Sequence, residues 1–121
     1  MKSFRDIIAW QKGMDVVVLV YNVTACFPDT ERFGLVSQMR RAAVSIPSNI
    51  AEGFGRYNRP DFLRFLRTSR GSLFELQTQI EIAYRLQFSP PNPTLDAAVA
   101  ETDRVLQGFI RGLEDSEPND H

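Results

Sequence analysis

The stretch NRPDFLRFLRTSRGSLFELQTQIEIAYRL, residues 58–86, decides the fold. Within it Phe62, Leu66, Ser69, Leu73, Leu76, Ile80 and Ala83 recur in alternating four- and three-residue steps. That spacing stacks them in one stripe along an α-helix and on no face of a strand. Asn58 is placed to cap the helix and Pro60 to sit in its first turn, where a missing N–H costs nothing. Glu81 and Arg85 add a four-residue ion pair in the favourable order. The pattern predicts a helix to about Phe88.

Working back from this stretch, Gly53, Gly55, Tyr57 and Asn58 mark a tight corner. Before it, Val36, Met39, Ala43, Ile46, Ile50 and Gly53 form the seam of a second helix expected over about 31–55. Pro47 lies inside that span. It removes the bond to the Ala43 carbonyl, so a kink or break is predicted there, at about 3 kcal/mol of helix propensity. Ser45 and Ser48 are placed to satisfy the freed backbone groups.

A first helix is expected to start at the capping-box-like Ser3 and Asp6 and to run to about Phe27, where Pro28 stops it. Phe4, Ile7, Gln11, Met14, Val18, Tyr21 and Ala25 supply its predicted core stripe. Trp10, Val16, Val17, Leu19, Val20 and Phe27 make its middle apolar nearly all round. One small bundle cannot cover so much apolar surface, so Trp10, Val16, Val17, Leu19 and Val20 are read as a candidate oligomer interface.

Beyond the quoted stretch, Ser89, Pro90, Pro91, Asn92 and Pro93 cannot continue a helix. They end in a cap, Asn92, and a first helical residue, Pro93. Leu95, Ala98, Val99, Thr102, Leu106, Phe109, Ile110 and Leu113 give the buried side of a fourth helix. Four helices joined by short turns, with no strand pattern, predict an all-α, antiparallel up-down-up-down four-helix bundle. It is expected as a single domain over 1–114, followed by a disordered acidic tail at 115–121.

The 14 basic and 15 acidic side chains nearly cancel, so bulk charge argues neither for indiscriminate nucleic-acid binding nor for a disordered acidic chain. Their distribution is uneven. Between Arg32 and Arg70 eight arginines face two acids, a local excess of six positive charges. The longest apolar run, 16–21, falls far short of the roughly 20 residues that span a bilayer. The first ten residues lack the progression of a secretion signal, and a lone cysteine fits a reducing compartment, so a soluble cytoplasmic protein is expected. Cys26, beside Phe27, reads as a buried structural thiol.

Catalytic chemistry finds few agents here. The single histidine is the last residue, His121, and no Glu-x-x-His pair is available for a metal. Glu52, Glu75 and Glu81 are the candidate interior carboxylates. Glu75 and Glu81 fall off the third helix's seam, and Glu52 stands four residues before Arg56, which reads as an ion pair. Asn49 reads as a buried hydrogen-bonding residue that fixes register. The Gly53-Phe54-Gly55 run lacks the rest of a phosphate loop. No catalytic residue, cofactor or metal is expected, and the chain is read as not an enzyme.

The arginines are the remaining lead. A fold-back near Tyr57 brings Arg40 and Arg41 level with Leu73 and Phe74, with Arg70 about one turn away at about 1.5 Å per residue. Arg56, Arg59 and Arg64 gather near the corner, and Arg67 lies on the same helix. These seven, Arg40, Arg41, Arg56, Arg59, Arg64, Arg67 and Arg70, are the candidate nucleic-acid contacts, because guanidinium groups suit phosphate. The competing reading pairs them within the protein.

Three strings then carry a resemblance: WQKGMDVVVLVYNVTACFP (10–28), ERFGLVSQMRRAAVSIPSNIAEGFGR (31–56) and FLRFLRTSRGSLFELQTQIEIAYRL (62–86). They closely resemble the bacterial four-helix-bundle family named for proteins encoded within intervening sequences of 23S ribosomal RNA genes. The resemblance covers about 4–88. From the fourth helix onward it is one of length and pattern only. It implies a four-helix subunit that assembles into a ring-like homopentamer, and it carries over no catalytic residue. A related branch, the accessory variability determinant of diversity-generating retroelements, is similar in fold and implies a basic pentamer that binds nucleic acid and a reverse transcriptase. This chain departs from that branch in being weakly acidic. The expected function is a non-enzymatic oligomeric adaptor that contacts RNA or a nucleic-acid-binding protein through arginines of the second and third helices. The alternative is a protein-interaction scaffold with no nucleic-acid role.

Overall fold

The computed structural model describes residues 1–116. Four helices make up the described chain: α1 (Ile8–Thr24), α2 (Leu35–Phe54), α3 (Arg59–Arg85) and α4 (Pro93–Glu114). Short 3-10 turns precede α1 at Phe4–Asp6 and α2 at Asp29–Glu31. The part of the expected acidic tail from 117 to 121 lies outside the described residues.

Consecutive helices run antiparallel, as their side-chain pairings show. Along α1 and α2, Thr24 meets Arg40 while Gly13 faces Ile46 and Pro47. Along α2 and α3, Ser45 meets Ser72, the Ile46 carbonyl accepts from Ser69, and Gly53 lies against Phe65. Along α3 and α4, Tyr84 meets Asp96, Arg70 meets Asp103 and Phe62 meets Phe109. The helices pack in a closed ring, α1 on α2, α2 on α3, α3 on α4 and α4 on α1.

The helix starts follow local chemistry. Asn58 accepts from the Asp61 N–H and Asn92 from the Leu95 N–H, each satisfying an orphan donor of the first turn. Ser3 and Asp6 do form a capping box, but it caps the 3-10 turn, and extended Ile7 separates that turn from α1. Helix α2 starts four residues later than expected, because Gly34 departs from helical backbone and Glu31 Oε1 accepts from Leu35 N in its place.

The C-terminus of α3 closes in a Schellman arrangement. Gln87 takes φ 60°, its N–H reaches the Tyr84 carbonyl, and the Phe88 N–H reaches Ala83. Phe88 then packs on Phe27, with ring centroids 5.8 Å apart, and closes one end of the bundle. Phe62, against Phe54 and Phe109, closes the other.

Seams α2, α3 and α4 bury the residues their spacing selects, with Met39, Ile46, Ile50, Leu66, Leu73, Leu76, Leu95 and Leu106 essentially removed from water. Each such side chain stabilises the fold by about 1.5–3 kcal/mol. Helix α1 is rotated from the expected orientation. Its core face is Ala9, Gly13, Val16, Val20 and Thr24. Met14, Val18 and Tyr21, expected inside, are exposed instead, and Gln11 and Ala25 with them. One steric and one polar fit select this face. Gly13 lets Ile46 pack close, since a Cβ there would lie 3.2 Å from Ile46 Cγ2, with the Pro47 ring in ordinary contact at 3.5 Å. Buried Thr24 donates to the Val20 carbonyl at 2.7 Å and accepts from Arg40.

Helix α2 is continuous across Pro47, whose ring is buried in the α1 contact. Ser45 does not serve the freed backbone. Its hydroxyl bonds Ser72 on α3 at 2.8 Å and accepts from Asn49, which also donates to the Ser45 carbonyl. Cys26 is exposed, not buried as expected, because it follows the last turn of α1 on the solvent side of Phe27. Among the described residues, no helix is long and apolar enough to cross a membrane.

Candidate nucleic-acid interface

The seven candidate arginines do not form one surface. Around the corner, Arg56 pairs with Glu52 at 3.7 Å and Arg64 with Asp61 at 3.8 Å. Both guanidinium groups also lie over the Phe65 ring, at 4.7 and 4.5 Å. Arg59 is half-buried as the first residue of α3. Further along α3 the arginines serve α4. Arg67 meets Glu114, and Arg70 meets Asp103 at 3.0 Å while lying over Phe74. Fixed against a neighbour's carboxylate, these groups are part of the α3–α4 contact.

Arg40 and Arg41 part company, since consecutive helical residues point about 100° apart at 3.6 residues per turn. Arg40 turns to α1, not to α3. Its Nε donates to Thr24 Oγ1 at 2.9 Å, its Nη2 to the Tyr21 carbonyl at 3.3 Å, and its guanidinium lies 4.4 Å from the Tyr21 ring centroid. Arg41 is exposed and, among the described residues, has no ion-pair or side-chain hydrogen-bond partner. Together with Tyr21, Arg32, Phe33, Val36, Ser37 and Val44 they line an open groove between α1 and the start of α2. No carboxylate lines it. Glu31, the nearest acid in sequence, is committed to the Leu35 N–H.

The candidate oligomer interface is also redrawn. Val16 and Val20 are fully buried in the subunit's own core, and Trp10, Val17 and Leu19 are half-buried against it, so these five do not form the free face of α1. Its exposed apolar row is Met14, Val18 and Tyr21, four and three residues apart, with Val18 59% exposed. Because apolar residues run nearly all round the helix, their spacing alone does not distinguish the two faces.

A family model described as 23S rRNA-intervening sequence protein matches residues 5–108. The chain belongs to this family. The match runs into α4 well past residue 88, so the 23S rRNA-intervening sequence family pattern includes most of the fourth helix and not only its length. A comparison with curated proteins finds no match.

In this member of the 23S rRNA-intervening sequence family, three arginines come together without an acid at the α1–α2 groove. The other paired arginines, on α2 and α3, each face one. Tyr21, Arg32 and Phe33 were not among the seven candidates. Phe33, a large apolar residue in the polar turn between Pro28 and Gly34, belongs to no helical stripe and was the available signal. Among the described residues no three His, Cys, Asp or Glu side chains gather. Glu52 is exposed and paired with Arg56, and Glu75 and Glu81 are exposed, as their positions off the seams predict.

Proposed function

We propose that this protein is a non-catalytic, self-assembling helical-bundle adaptor that engages RNA, or an RNA–protein complex, through the face where α1 meets α2. The observation that carries this reading is the grouping of Arg32, Arg40 and Arg41 with no carboxylate between them. Phosphate binding needs guanidinium groups that can accept a new partner without abandoning an old one. Membership of a family named for 23S rRNA intervening sequences agrees with it. Self-assembly is supported by exposed Met14 and Val18 on α1, and the family resemblance implies a homopentamer. The single histidine at position 121 and the single cysteine leave acid-base and nucleophilic chemistry without its usual agents.

The test is a titration of structured RNA at low and moderate salt. Arg41→Glu is expected to abolish most binding, and an Arg67→Ala, Arg70→Ala double variant to keep it. Absent or salt-insensitive binding by the wild type, or equal binding by Arg41→Glu, sinks the reading. Mass in solution for wild type and Val18→Glu tests assembly, with dissociation expected in the variant. A second reading, a protein-interaction scaffold, is favoured by exposed Phe74 and Ile82 on α3. Partners retained after nuclease treatment and lost in Phe74→Glu support it.

A further inference from the structure

The α1–α2 groove combines two chemistries that bulk phosphate binding does not require together. One is cationic. Arg40 is held in place by Thr24 and the Tyr21 carbonyl, which engage two of the five N–H donors of its guanidinium, and Arg41 beside it is free to move. The other is aromatic. Phe33 is 88% exposed at the groove's edge, with the Arg32 guanidinium 5.4 Å from its ring, and the Tyr21 ring lies under Arg40. Holding a phenyl ring in water gives the subunit nothing, and Phe33 sits in a short turn against no core residue.

From this juxtaposition we infer that the groove takes an unpaired stretch of polynucleotide, with a base stacked on Phe33 and the adjoining phosphates on Arg40 and Arg41. The inference rests on the RNA reading above and narrows it to a class of substrate. A duplex offers phosphates but hides its base faces in the stack. Only a single strand, loop or bulge presents both to arginines and rings interleaved at this range. The absence of a carboxylate in the lining selects an anionic occupant over a purely apolar one. The groove, about 500 Å³, lies within the roughly 300–1,000 Å³ range of ligand sites. Ribose and deoxyribose strands share this chemistry, so the two sugars are separated by experiment.

The test is fluorescence anisotropy of the full chain with labelled oligouridine, oligothymidine, an RNA duplex of matched length and an oligoglutamate peptide, at about 50 and about 200 mM salt. Oligouridine is expected to bind more tightly than duplex by roughly tenfold or more, since stacking is lost in the duplex. Phe33→Ala is expected to weaken the single strand roughly five- to a hundredfold, to leave duplex binding unchanged, and to be restored by Phe33→Trp. Arg41→Ala is expected to weaken single strand and duplex alike and to reduce the salt slope by about one. Binding of oligothymidine equal to oligouridine supports the groove and excludes a 2′-hydroxyl contact. Equal affinity for duplex and single strand, or a single-strand affinity indifferent to Phe33→Ala, overturns the inference while leaving RNA binding in place. Oligoglutamate binding as tightly as oligouridine overturns it in favour of an acidic protein segment. No binding of any polynucleotide overturns both readings. Phe33 is so exposed that its variants are expected to fold, which far-UV circular dichroism checks.

Discussion

Alanine at Gly53, in the last turn of α2, and alanine at Gly108, inside α4, are the same chemical change, and they are expected to move stability in opposite directions. At Gly53 on α2 an added Cβ would lie 2.7 Å from Phe65 Cβ, 3.0 Å from the Phe62 ring and 3.4 Å from the Phe62 carbonyl oxygen. Ordinary carbon contacts are about 3.5–4.0 Å, and the Cβ of Phe65 cannot swing away as a side-chain tip can. The α2 and α3 backbones have to separate, at the upper end of the roughly 1–3 kcal/mol cost of overpacking. The gain in helix propensity, at most about 1 kcal/mol so near the helix end, offsets only part of it. At Gly108 on α4 nothing lies within 4 Å of the added Cβ, so the gain of about 1 kcal/mol stands alone. Gly53→Ala is therefore expected about 2 kcal/mol below wild type and Gly108→Ala about 1 kcal/mol above it. The gap corresponds to about 10 °C in Tm for a domain of this size. Urea and thermal unfolding by circular dichroism, at one fixed protein concentration because self-association adds stability, measures it. A Gly53→Ala protein as stable as wild type refutes the close α2–α3 approach. A destabilised Gly108→Ala refutes the open face of α4.

Three further outcomes are expected. Burial holds the Tyr84 phenol above its ordinary value of 10.0, with the Asp96 and Glu81 carboxylates adding to the rise and the Asn92 backbone bond opposing it. The folded state thus grips this proton more tightly than the unfolded chain. The resulting stability is present below pH 10 and is lost as pH climbs through the folded value, so the advantage of wild type over Tyr84→Phe is expected to shrink above pH 10 in parallel denaturation series. Gln87 holds the left-handed position that ends α3, which costs a non-glycine residue about 1 kcal/mol, and Gln87→Gly is expected to raise the urea midpoint by a comparable stability. Cys26 is expected to react with a thiol reagent in the native protein as fast as in urea. Protection until unfolding would place it under a neighbouring chain.

The sequence made three of the four seams legible, because α2, α3 and α4 each carry polar residues opposite their apolar stripe and so leave one face to bury. Helix α1 offered two apolar faces, and the choice between them is made by long-range fits, Gly13 on Ile46 and Thr24 on Arg40, that no local spacing encodes. The same rotation decides the candidate site. Turning Tyr21 outward gives Arg40 a ring and a carbonyl to hold, drawing it away from the α3 arginines with which it was expected to act. Ion pairs within one helix, Glu52 with Arg56 and Glu81 with Arg85, follow from four-residue spacing and were readable. Those between helices, Arg67 with Glu114 and Arg70 with Asp103, depend on the packing of α3 on α4 and were not.

Ultraviolet crosslinking of the full protein to oligouridine, with mass-spectrometric mapping of the modified peptide, shows where on the protein the strand lies. Crosslinks are expected at Phe33 or Tyr21 and are expected to disappear in Arg41→Glu. Crosslinks confined to α3 and α4, or none at a protein concentration that saturates the strand, would contradict binding in the α1–α2 groove.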